Sequence, residues 1–547
     1  MIALSDHLMI LPIVLPLLAG AAMLLVNERH RSLKAAINIA SIVTLCAVSF
    51  ALLRLADAHP EGAAAQVGVY RLGDWAAPFG IVLVVDRLSA LMLLLTSLLA
   101  LASVVFSLAR WHQAGTHFHS LFQFLLMGLN GAFLTGDLFN LFVFFELLLA
   151  ASYGLVLHGS GIARVRAGLH YIAVNLAASL LFLIGVSLIY AVTGTLNMAD
   201  LAVRIPQVAE QDRALLEAGA AVLGTAFLVK AGMWPLCFWL PTTYAAAVPP
   251  VAAMFSIMSK VGVYVLLRLS LLFFGEGSGA SAQFGSDWLL VGGMATIVFG
   301  GVGVLASQDM ARLGGFAVLV SSGTVMAVMA TGQVAVTGSA LFYLVSSTLA
   351  IGAFFMLIEL LERGREFGAD MLAVSRELYG EEDEDDLRDD GDAGVAIPAT
   401  MAVLGVCFIG CALVLAGLPP VSGFIAKFAI LTALFGLPAP DTGTGVPVVT
   451  WVLLALLIFS GLAMLIAMTR AGLRTLWTPL ERDVPRVRFI EITPIALLLV
   501  ACAAMTVQAD TAMTYMQDTA SALHAPADYV RSVLSPGDTR ADAGGGS

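Results

Sequence analysis

The sequence predicts an all-α integral membrane protein with about fourteen transmembrane helices. Three observations support this fold class. Of the 547 residues, 59% are hydrophobic and only 12% are charged, whereas a water-soluble protein carries about twice that share of charge. The mean hydropathy is +0.93. Most of the apolar runs also reach the ~20 residues that a helix needs to cross a bilayer.

Fourteen apolar runs follow one another along the chain, and we take each as one span. The first three belong to an N-terminal segment, residues 1–110, and the last belongs to a C-terminal segment, 471–547, which also carries a tail. The runs lie near 8–26, 35–54, 80–108, 120–134, 138–157, 167–192, 215–240, 251–274, 288–306, 313–331, 338–361, 398–435, 449–469 and 490–508.

Basic residues predict the orientation of the spans. The first loop, "NERHRSLK", contains Arg29, Arg31 and Lys34. Because Lys and Arg accumulate in cytoplasmic loops, we expect this loop inside the cell and the N-terminus outside. Alternation through fourteen spans then places the C-terminus outside as well. It also places a basic group before the last span in the cytoplasm: Arg470, Arg474, Arg482, Arg486 and Arg488.

One long cytoplasmic loop, 362–396, carries most of the net charge of −11. Its stretch "EEDEDDLRDDGD", 381–392, holds nine acidic residues and one arginine. This composition is typical of a solvated, disordered loop. The alternatives are a surface that concentrates cations at a channel mouth and a docking site for a partner.

The sequence offers no pattern for a cofactor, a catalytic metal or nucleic acid. The five cysteines all lie in apolar segments, without His or Cys partners at metal spacing. No phosphate-binding glycine loop and no Ser/His/Asp arrangement stands out. We therefore expect neither an enzyme nor a cofactor or metal site, and we expect membrane lipid around the chain.

Lysine is reserved for the apolar interior. Of four lysines, only Lys34 is expected in a loop, while Lys230, Lys260 and Lys427 interrupt apolar runs. A charge at the bilayer centre costs about 2.5–3.5 kcal/mol on insertion scales. Unlike arginine, a buried lysine can release its proton. These three residues are therefore candidates for a proton relay. The alternative is a set of ion pairs that only hold helices together.

A counter-ion is available in the fifth span. "GDLFNLFVFFELLLAASYG" places Glu146 in mid-span, and Asp137 stands where the helix begins. Asp137 is a good helix cap, which is mainly a structural role. Glu146 lies on a small or polar helix face suited to packing against protein: Asn140, Val143, Glu146, Ala150 and Gly154.

Prolines predict two broken helices and, from them, a repeat. Pro235 cannot bond to the carbonyl of Ala231, next to Lys230. The stretch "AGLPPVSGFIAKF" places Pro419 and Pro420 before Lys427. These breaks lie in spans seven and twelve. The two breaks are five spans apart. Because successive spans alternate in direction, helices that are an odd number of spans apart run in opposite directions, as in the inverted repeats of transporters. We predict one five-helix repeat over 111–275 and a second over 288–470.

At these residues the chain resembles a known family. It is similar, over roughly 80–510, to the antiporter-like membrane subunits of respiratory complex I and of the multisubunit Mrp cation/proton antiporters. The resemblance rests on "KAGMWPLCFWLPTTYAAAVPPVAAMFSIMSKVGVY" and "AGLPPVSGFIAK". Within the family, "GDLFNLFVFFELLLAASYGLVLHG" looks most like the D-type subunits of the Mrp antiporters.

The resemblance implies fourteen spans, two inverted five-helix repeats and a polar axis midway through the membrane. It also implies that Glu146 is the span-five glutamate that pairs with the span-seven lysine, Lys230. Lys260 then matches the span-eight lysine, and Lys427 matches the basic residue of broken span twelve. The four groups found from the residues alone are the same four.

The chain departs from the family pattern in spans ten and eleven, where many relatives carry His or Lys. Here the stretches "GGFAVLVSSGTV" and "LFYLVSSTLAIGAFF" offer hydroxyl side chains instead. We expect waters held by these hydroxyls to bridge Lys260 and Lys427. The candidates are Ser321, Ser322, Tyr343, Ser346 and Ser347.

The sequence thus predicts a proton-translocating subunit of an Mrp-type antiporter that exchanges Na⁺ or K⁺ for protons. We expect it in the bacterial inner (cell) membrane, within a hetero-oligomer of large and small membrane subunits. The first alternative is an antiporter-like subunit of complex I, and the second is a purely structural scaffold.

Overall fold

The computed structural model describes residues 6–58, 67–379, 399–436, 446–476 and 487–535. The acidic stretch 381–392 lies outside these residues. In the described part the chain is almost entirely helical. The helices are α1 Leu11–Leu25, α2 Arg31–Asp57, α3 Arg87–Ser107, α4 Phe118–Leu134, α5 Leu138–Val156, α6 Ile162–Thr193, α7 Met198–Arg204, α8 Glu210–Ala231, α9 Trp239–Ala246, α10 Pro249–Phe274, α11 Ser286–Ala306, α12 Met310–Met329, α13 Val334–Tyr379, α14 Ala399–Ala416, α15 Ser422–Phe435, α16 Val448–Leu476, α17 Phe489–Val507, α18 Ala509–His524 and α19 Ala527–Leu534.

Twelve of these helices are long and apolar enough to cross a membrane, counted over the described ranges. Three shorter apolar helices accompany them, namely α1, α4 and α15. Each predicted span coincides with at least one helix, and the predicted all-α membrane fold is confirmed. The number fourteen and the inverted repeats stay predictions.

Burial separates a central group of helices from a peripheral one. In the apolar windows of α10, α12 and α13, 83%, 89% and 100% of residues are buried inside the protein. The corresponding share is 39% for α2, α6, α14 and α16. The peripheral helices therefore expose apolar side chains to the hydrocarbon or to other proteins, while the central helices are shielded from it.

Four features were not predicted from the sequence. The run 80–108 begins as a strand, β2 Val82–Val85, which pairs antiparallel with β1 Gly68–Arg71. A short helix, α7, follows α6. The helix α13 continues to Tyr379, into the predicted loop 362–396. The tail forms α18 and α19. In β2, "VLVV" is buried at every position, so its apolar pattern cannot be distinguished from the start of a span.

The loop expected around Lys34 is shorter than predicted. The helix α2 already begins at Arg31, so Lys34 lies near the start of that helix and is buried. Its amine binds Glu28 in the connection between α1 and α2. The expectation that Lys34 lies in a loop is therefore wrong, because this nearby carboxylate allows the lysine to be buried at the helix end.

Candidate functional site

The first break is caused by a glycine that precedes the predicted proline. The helix α8 ends at Ala231, and Gly232 adopts a left-handed conformation with φ of 75°. The Gly232 amide donates to the Val229 carbonyl at 3.2 Å and the Met233 amide donates to Leu228 at 3.0 Å. This pattern is a Schellman motif, which glycine favours because it lacks a Cβ.

Pro235 lies within the non-helical turn between α8 and α9. The prediction of a break here is correct, but the helix ends earlier than Pro235 alone requires. The turn is fastened to two neighbours. The Trp234 amide donates to Thr296 of α11 at 2.9 Å, and the Trp239 indole donates to the Val229 carbonyl at 3.1 Å. The break is therefore a fixed structure at the end of the helix that carries Lys230.

Lys230 is buried near the end of α8, with 7% of its surface exposed. Its Nζ lies 4.7 Å from the centroid of the Phe145 ring, within the range of a cation–π contact. The charge of Glu146 acts on Lys230 electrostatically. Among the described ion pairs within 4.0 Å, however, none joins these two residues. The predicted pair is thus a longer-range interaction here, with an aromatic ring beneath the amine.

Glu146 lies on the predicted face of α5, and this face is only partly covered by the rest of the chain. Glu146 is half-buried, and its Oε1 is buried without a hydrogen-bond partner. Val143, on the same face, is 47% exposed. Asp137 caps α5 as expected, because its carboxylate accepts from the Phe139 and Asn140 amides at 2.8 and 3.0 Å.

Lys260 lies at the centre of the molecule, on α10, and is fully buried. Its Nζ donates to the hydroxyls of Ser321 and Ser322 at 2.8 and 2.9 Å. Both serines belong to α12. No carboxylate pairs with this amine in the part of the chain that the structure describes. Neutral hydroxyls thus hold the buried amine.

The hydroxyls continue from Lys260 toward the second break. Ser321 Oγ lies 2.7 Å from Ser347 Oγ of α13, and the Ser347 hydroxyl donates to the Leu344 carbonyl at 3.2 Å. Because Ser347 uses its only proton for the Leu344 carbonyl, it accepts from Ser321. The order of donors therefore runs from the Lys260 amine through Ser321 to Ser347.

A small cavity lies beyond Ser347. The volume open to the centre of a water molecule is about 10 Å³, which corresponds to roughly one water. Its polar lining includes Tyr343, Ser321, Ser346 and Ser347. Gly423 of α15 also lines it. Ser346 Oγ is joined to Ser422 Oγ at 2.7 Å. The cavity thus lies between the serines of α12 and α13 and the start of the helix that carries Lys427.

The second break repeats the geometry of the first. The helix α14 ends at Ala416, and Gly417 has φ of 75°. The Gly417 amide donates to Val414 at 3.2 Å and the Leu418 amide donates to Leu413 at 3.0 Å, again a Schellman motif. Pro419 and Pro420 follow within the non-helical connection to α15.

Lys427 binds the backbone that this second break frees. Its Nζ donates to the Ala416 carbonyl at 3.1 Å, and the residue is 8% exposed. A Cβ on Gly417 would lie 3.2 Å from this Nζ, so the left-handed glycine also leaves room for the amine. The sequence predicted a freed carbonyl beside a buried lysine at Lys230, and the structure shows that arrangement at Lys427.

The structure adds three site residues that sequence reasoning missed: Phe145, Gly232 and Ser422. Phe145 adjoins Glu146 but has no pattern that marks it. Gly232 and Gly417 both precede a proline by two or three residues, a signal that could have located the helix ends. Over the described ranges, no group of three or more His, Cys, Asp or Glu residues could hold a metal ion.

Known proteins of one family are similar to this chain over most of its length. The family model described as "NADH:quinone oxidoreductase/Mrp antiporter, TM" matches residues 135–453. The chain is 62% identical to a probable K(+)/H(+) antiporter subunit of the D type from Rhizobium meliloti, over 97% of this chain and 98% of that protein. It is 31% identical to a D-type Na(+)/H(+) antiporter subunit from Alkalihalophilus pseudofirmus, over 97% and 99%.

A solved structure shares the fold. A chain of the Mrp complex from Dietzia sp. DQ12-45-1b superposes with a TM-score of 0.81 at 25% identity, covering 97% of this chain and 100% of that chain. The resemblance stated from the lysine-containing motifs is thereby confirmed. The chain belongs to the NADH:quinone oxidoreductase/Mrp antiporter family of membrane subunits.

Proposed function

We propose that the chain is the proton-translocating membrane subunit of a multisubunit antiporter that exchanges K⁺ or Na⁺ for protons. Its relatives are named as antiporter subunits, and the relative at 62% identity is named for K⁺/H⁺ exchange. K⁺ is therefore the cation to test first. The same relative favours an antiporter over the complex I alternative. The other antiporter subunits are the expected partners.

The partly covered face of α5 fits this assembly. An ionisable side chain inside a membrane is costly unless it faces protein or water. Because Glu146 is half-buried and Val143 beside it is exposed, a neighbouring subunit is the natural cover for this face. We place the N-terminus outside and the first loop in the cytoplasm of the bacterial cell, following the basic residues of that loop.

In the proposed mechanism, Glu146 and Lys230 form the switch of the relay. The two charges attract each other without a contact ion pair, so a change in their separation changes how firmly Lys230 holds its proton. The amine rests on the face of Phe145, 4.7 Å from the ring centroid. This contact favours the charged amine when the carboxylate is distant. Release of the proton then requires the amine to leave the ring or the carboxylate to move away.

The second half of the relay joins Lys260 to Lys427. Lys260 passes a proton to Ser321 while Ser321 passes its own proton to Ser347. Ser347 turns its hydroxyl from the Leu344 carbonyl and passes its own proton to water in the adjoining cavity, so each hydroxyl gains and loses one proton. Water in the adjoining cavity, beside Tyr343 and Ser346, completes the connection to the start of α15. Lys427 accepts there, held by the Ala416 carbonyl.

One observation supports this proposal more than any other. Lys260 is completely buried at the centre of the molecule and is bound by two neutral hydroxyls. A scaffold would favour a paired carboxylate, because an uncompensated buried charge is strongly unfavourable. Hydroxyl partners instead stabilise both the charged amine, as acceptors, and the neutral amine, as donors.

The relay is tested at Lys230 with two substitutions. Lys230→Arg keeps the positive charge near Glu146 but cannot release a proton, because guanidinium stays charged in proteins. Lys230→Ala removes the charge and leaves Glu146 without its cation. Cation/proton exchange is measured in everted vesicles, with subunit abundance in the purified complex as the control for assembly. We expect both variants to lose exchange and the arginine variant to assemble.

A purely structural role predicts a different outcome. The arginine variant would then restore exchange to near the wild-type rate, while the alanine variant would fail to assemble. That result would exclude Lys230 from proton transfer and leave it as a helix-packing residue.

A further inference from the structure

A second buried polar cluster lies away from the relay, where α2 packs against α4. Asn38 and Gln123 are completely buried, His119 is 4% exposed and Ser41 is 5% exposed. Their side chains form one continuous chain of hydrogen bonds between the two helices. Four polar side chains at this depth are costly unless each finds a partner. The relay described above uses none of them.

The hydrogen bonds of this cluster have a single direction. The Ser41 hydroxyl donates to Gln123 Oε1 at 3.1 Å, and Gln123 Nε2 donates to Asn38 Oδ1 at 2.7 Å. Asn38 Nδ2 then lies 2.7 Å from His119 Nδ1. Since the Asn38 amide nitrogen can only donate, Nδ1 of the imidazole must accept.

This direction fixes the protonation state of His119. An imidazole that accepts at Nδ1 is neutral and carries its proton on Nε2. That Nε2 is buried and has no hydrogen-bond partner. A protonated imidazole would carry a proton on both nitrogens and would point Nδ1–H at the donor group of Asn38. The cluster therefore accommodates the neutral form of His119 and conflicts with the charged form.

Protonation can be accommodated only by reversing the whole chain. The Asn38 amide would turn its oxygen to His119 and its nitrogen to Gln123. Gln123 would then turn its own oxygen to Asn38 and its nitrogen to Ser41. Both amides can make this rotation, because each end of an amide can take part in a hydrogen bond. The reversal exchanges donor and acceptor in each hydrogen bond of the cluster. It also leaves a charged ring buried, with an Nε2–H that has no hydrogen-bond partner, and this cost favours a displacement of α4 that opens the site to water.

Several titratable groups surround His119 at the end of α4 that we place in the cytoplasm. The His112 ring lies 5.7 Å from the His119 ring, between centroids. His158, after α5, contacts Phe118 beside it, and burial lowers the pKa of His158. From α1, residues 11–25 contribute no titratable side chain. From α10, Tyr264 reaches α4 only at Phe133, far from His119.

The remaining charges lie in and beside the loop before α2. Lys34 Nζ binds Glu28 Oε1 at 2.5 Å, and His117 binds the same oxygen at 3.1 Å. Partial burial raises the pKa of Glu28, but the hydrogen bond and charge of Lys34, together with His117, lower it overall. Glu28 thus stays ionised and neutralises Lys34. The titratable side chains around the cytoplasmic end of the cluster are therefore mainly imidazoles, with the Lys34–Glu28 ion pair beside them.

The helix α4 connects this cluster to the relay. A Cβ on Gly128 would lie 2.9 Å from Leu148 Cβ, and a Cβ on Gly131 would lie 2.2 Å from the Phe144 ring. Such close contacts leave no space between α4 and α5. Phe144 and Leu148 flank Phe145 and Glu146 along the chain. A displacement of α4 must therefore move the part of α5 that carries the switch.

We propose that His119 is a pH-sensitive switch, in which protonation reverses the Asn38–Gln123–Ser41 hydrogen bonds and shifts α4 against α2 and α5. This inference rests on the proposed antiport function for its effect on transport. The neutral state holds α4 in the arrangement described above, and the protonated state lowers exchange when the cytoplasmic side becomes acidic. The cluster binds the regulating proton, and the relay carries the transported one.

The test compares His119→Gln with His112→Gln as the matched control. Glutamine at 119 can accept the Asn38 hydrogen bond but does not titrate. Exchange is measured in everted vesicles, where the medium contacts the cytoplasmic side, between pH 4.5 and 9. We expect His119→Gln to keep the wild-type rate at alkaline pH and to move the acid limb of the profile down by about one pH unit or more. His112→Gln should keep the wild-type profile.

A second readout does not depend on transport. Hydrogen exchange of peptides covering 31–45 and 118–130 is measured in the purified complex at pH 4.5 and 8.5, and each rate is corrected for the pH dependence of chemical exchange. The corrected rates of the wild type should be higher at pH 4.5 than at pH 8.5, and those of His119→Gln should not differ. An unchanged acid limb and an unchanged exchange difference in His119→Gln would overturn the switch. Absence of any cation/proton exchange in the wild type would instead contradict the proposed function, while the hydrogen-exchange result would still decide the role of His119.

Discussion

The hydroxyls beside Lys260 allow a prediction with an internal control. Ser321 and Ser322 are neighbours on α12, and each accepts one hydrogen bond from the Lys260 amine, at 2.8 and 2.9 Å. Only Ser321 is joined onward, to Ser347 at 2.7 Å. Ser322 bonds to no other side chain among the described residues. Ser321→Ala and Ser322→Ala therefore remove the same contact from Lys260, but only the first interrupts the route.

The hydrogen bonds set the expected magnitude. Among the described residues, no hydrogen bond joins Lys260 Nζ to Ser347 directly, and the amine reaches Ser347 only through the Ser321 hydroxyl. Without that hydroxyl, the hydrogen-bonded route ends at Lys260. A lost hydrogen bond to a charged group costs about 1.5–3 kcal/mol. If the lost hop adds about 1.4 kcal/mol to the barrier in Ser321→Ala alone, its exchange falls roughly tenfold below that of Ser322→Ala.

The assay is cation/proton exchange in everted vesicles, normalised to the amount of subunit in the assembled complex. Ser321→Thr serves as the conservative variant, because it keeps a hydroxyl at this position. It should retain most of the exchange that Ser321→Ala loses. Equal losses in Ser321→Ala and Ser322→Ala would show that the hydroxyls only hold Lys260 in place. That result would refute the proposed hop to Ser347.

Two further predictions concern residues outside this hydroxyl chain. Glu146→Gln removes the charge that acts on Lys230 and should abolish cation/proton exchange while the complex still assembles; normal exchange in vesicles with normal subunit abundance would exclude Glu146 from the mechanism. Deletion of the acidic stretch 381–392 should leave the complex assembled, with transport at least half of the wild type, because its composition is typical of a solvated loop. Loss of the subunit from the purified complex after this deletion would favour a docking role.

Much of the fold follows from the sequence, because membrane helices are specified by local composition. A run of about twenty apolar residues must form a helix, since the hydrocarbon offers no other partner for its backbone groups. The lysines stood out for the same reason, because a charge in such a run is costly. The sequence misjudged 80–108, where the buried "VLVV" of β2 has the same apolar pattern as a helix.

The residues of the candidate site could be named from the sequence, but their geometry only in part. Lys230, Lys260, Lys427 and Glu146 are identifiable one at a time, because each contrasts with its apolar neighbours. Their contacts are not. Phe145 lies under Lys230 in place of a contact ion pair, and the carbonyl bound by a lysine belongs to the break at Ala416 rather than to the one at Ala231.

The sequence by itself determined the membrane class, the apolar runs, the two breaks and the four ionisable groups within apolar runs, because each depends on residues close together in the chain. Only the tertiary structure decided which polar groups meet. Lys260 reaches Ser321 across 61 positions, and Asn38 reaches His119 across 81. Such contacts depend on how helices pack against one another. Packing is set by the shapes of many side chains at once, and no local pattern in the sequence records it.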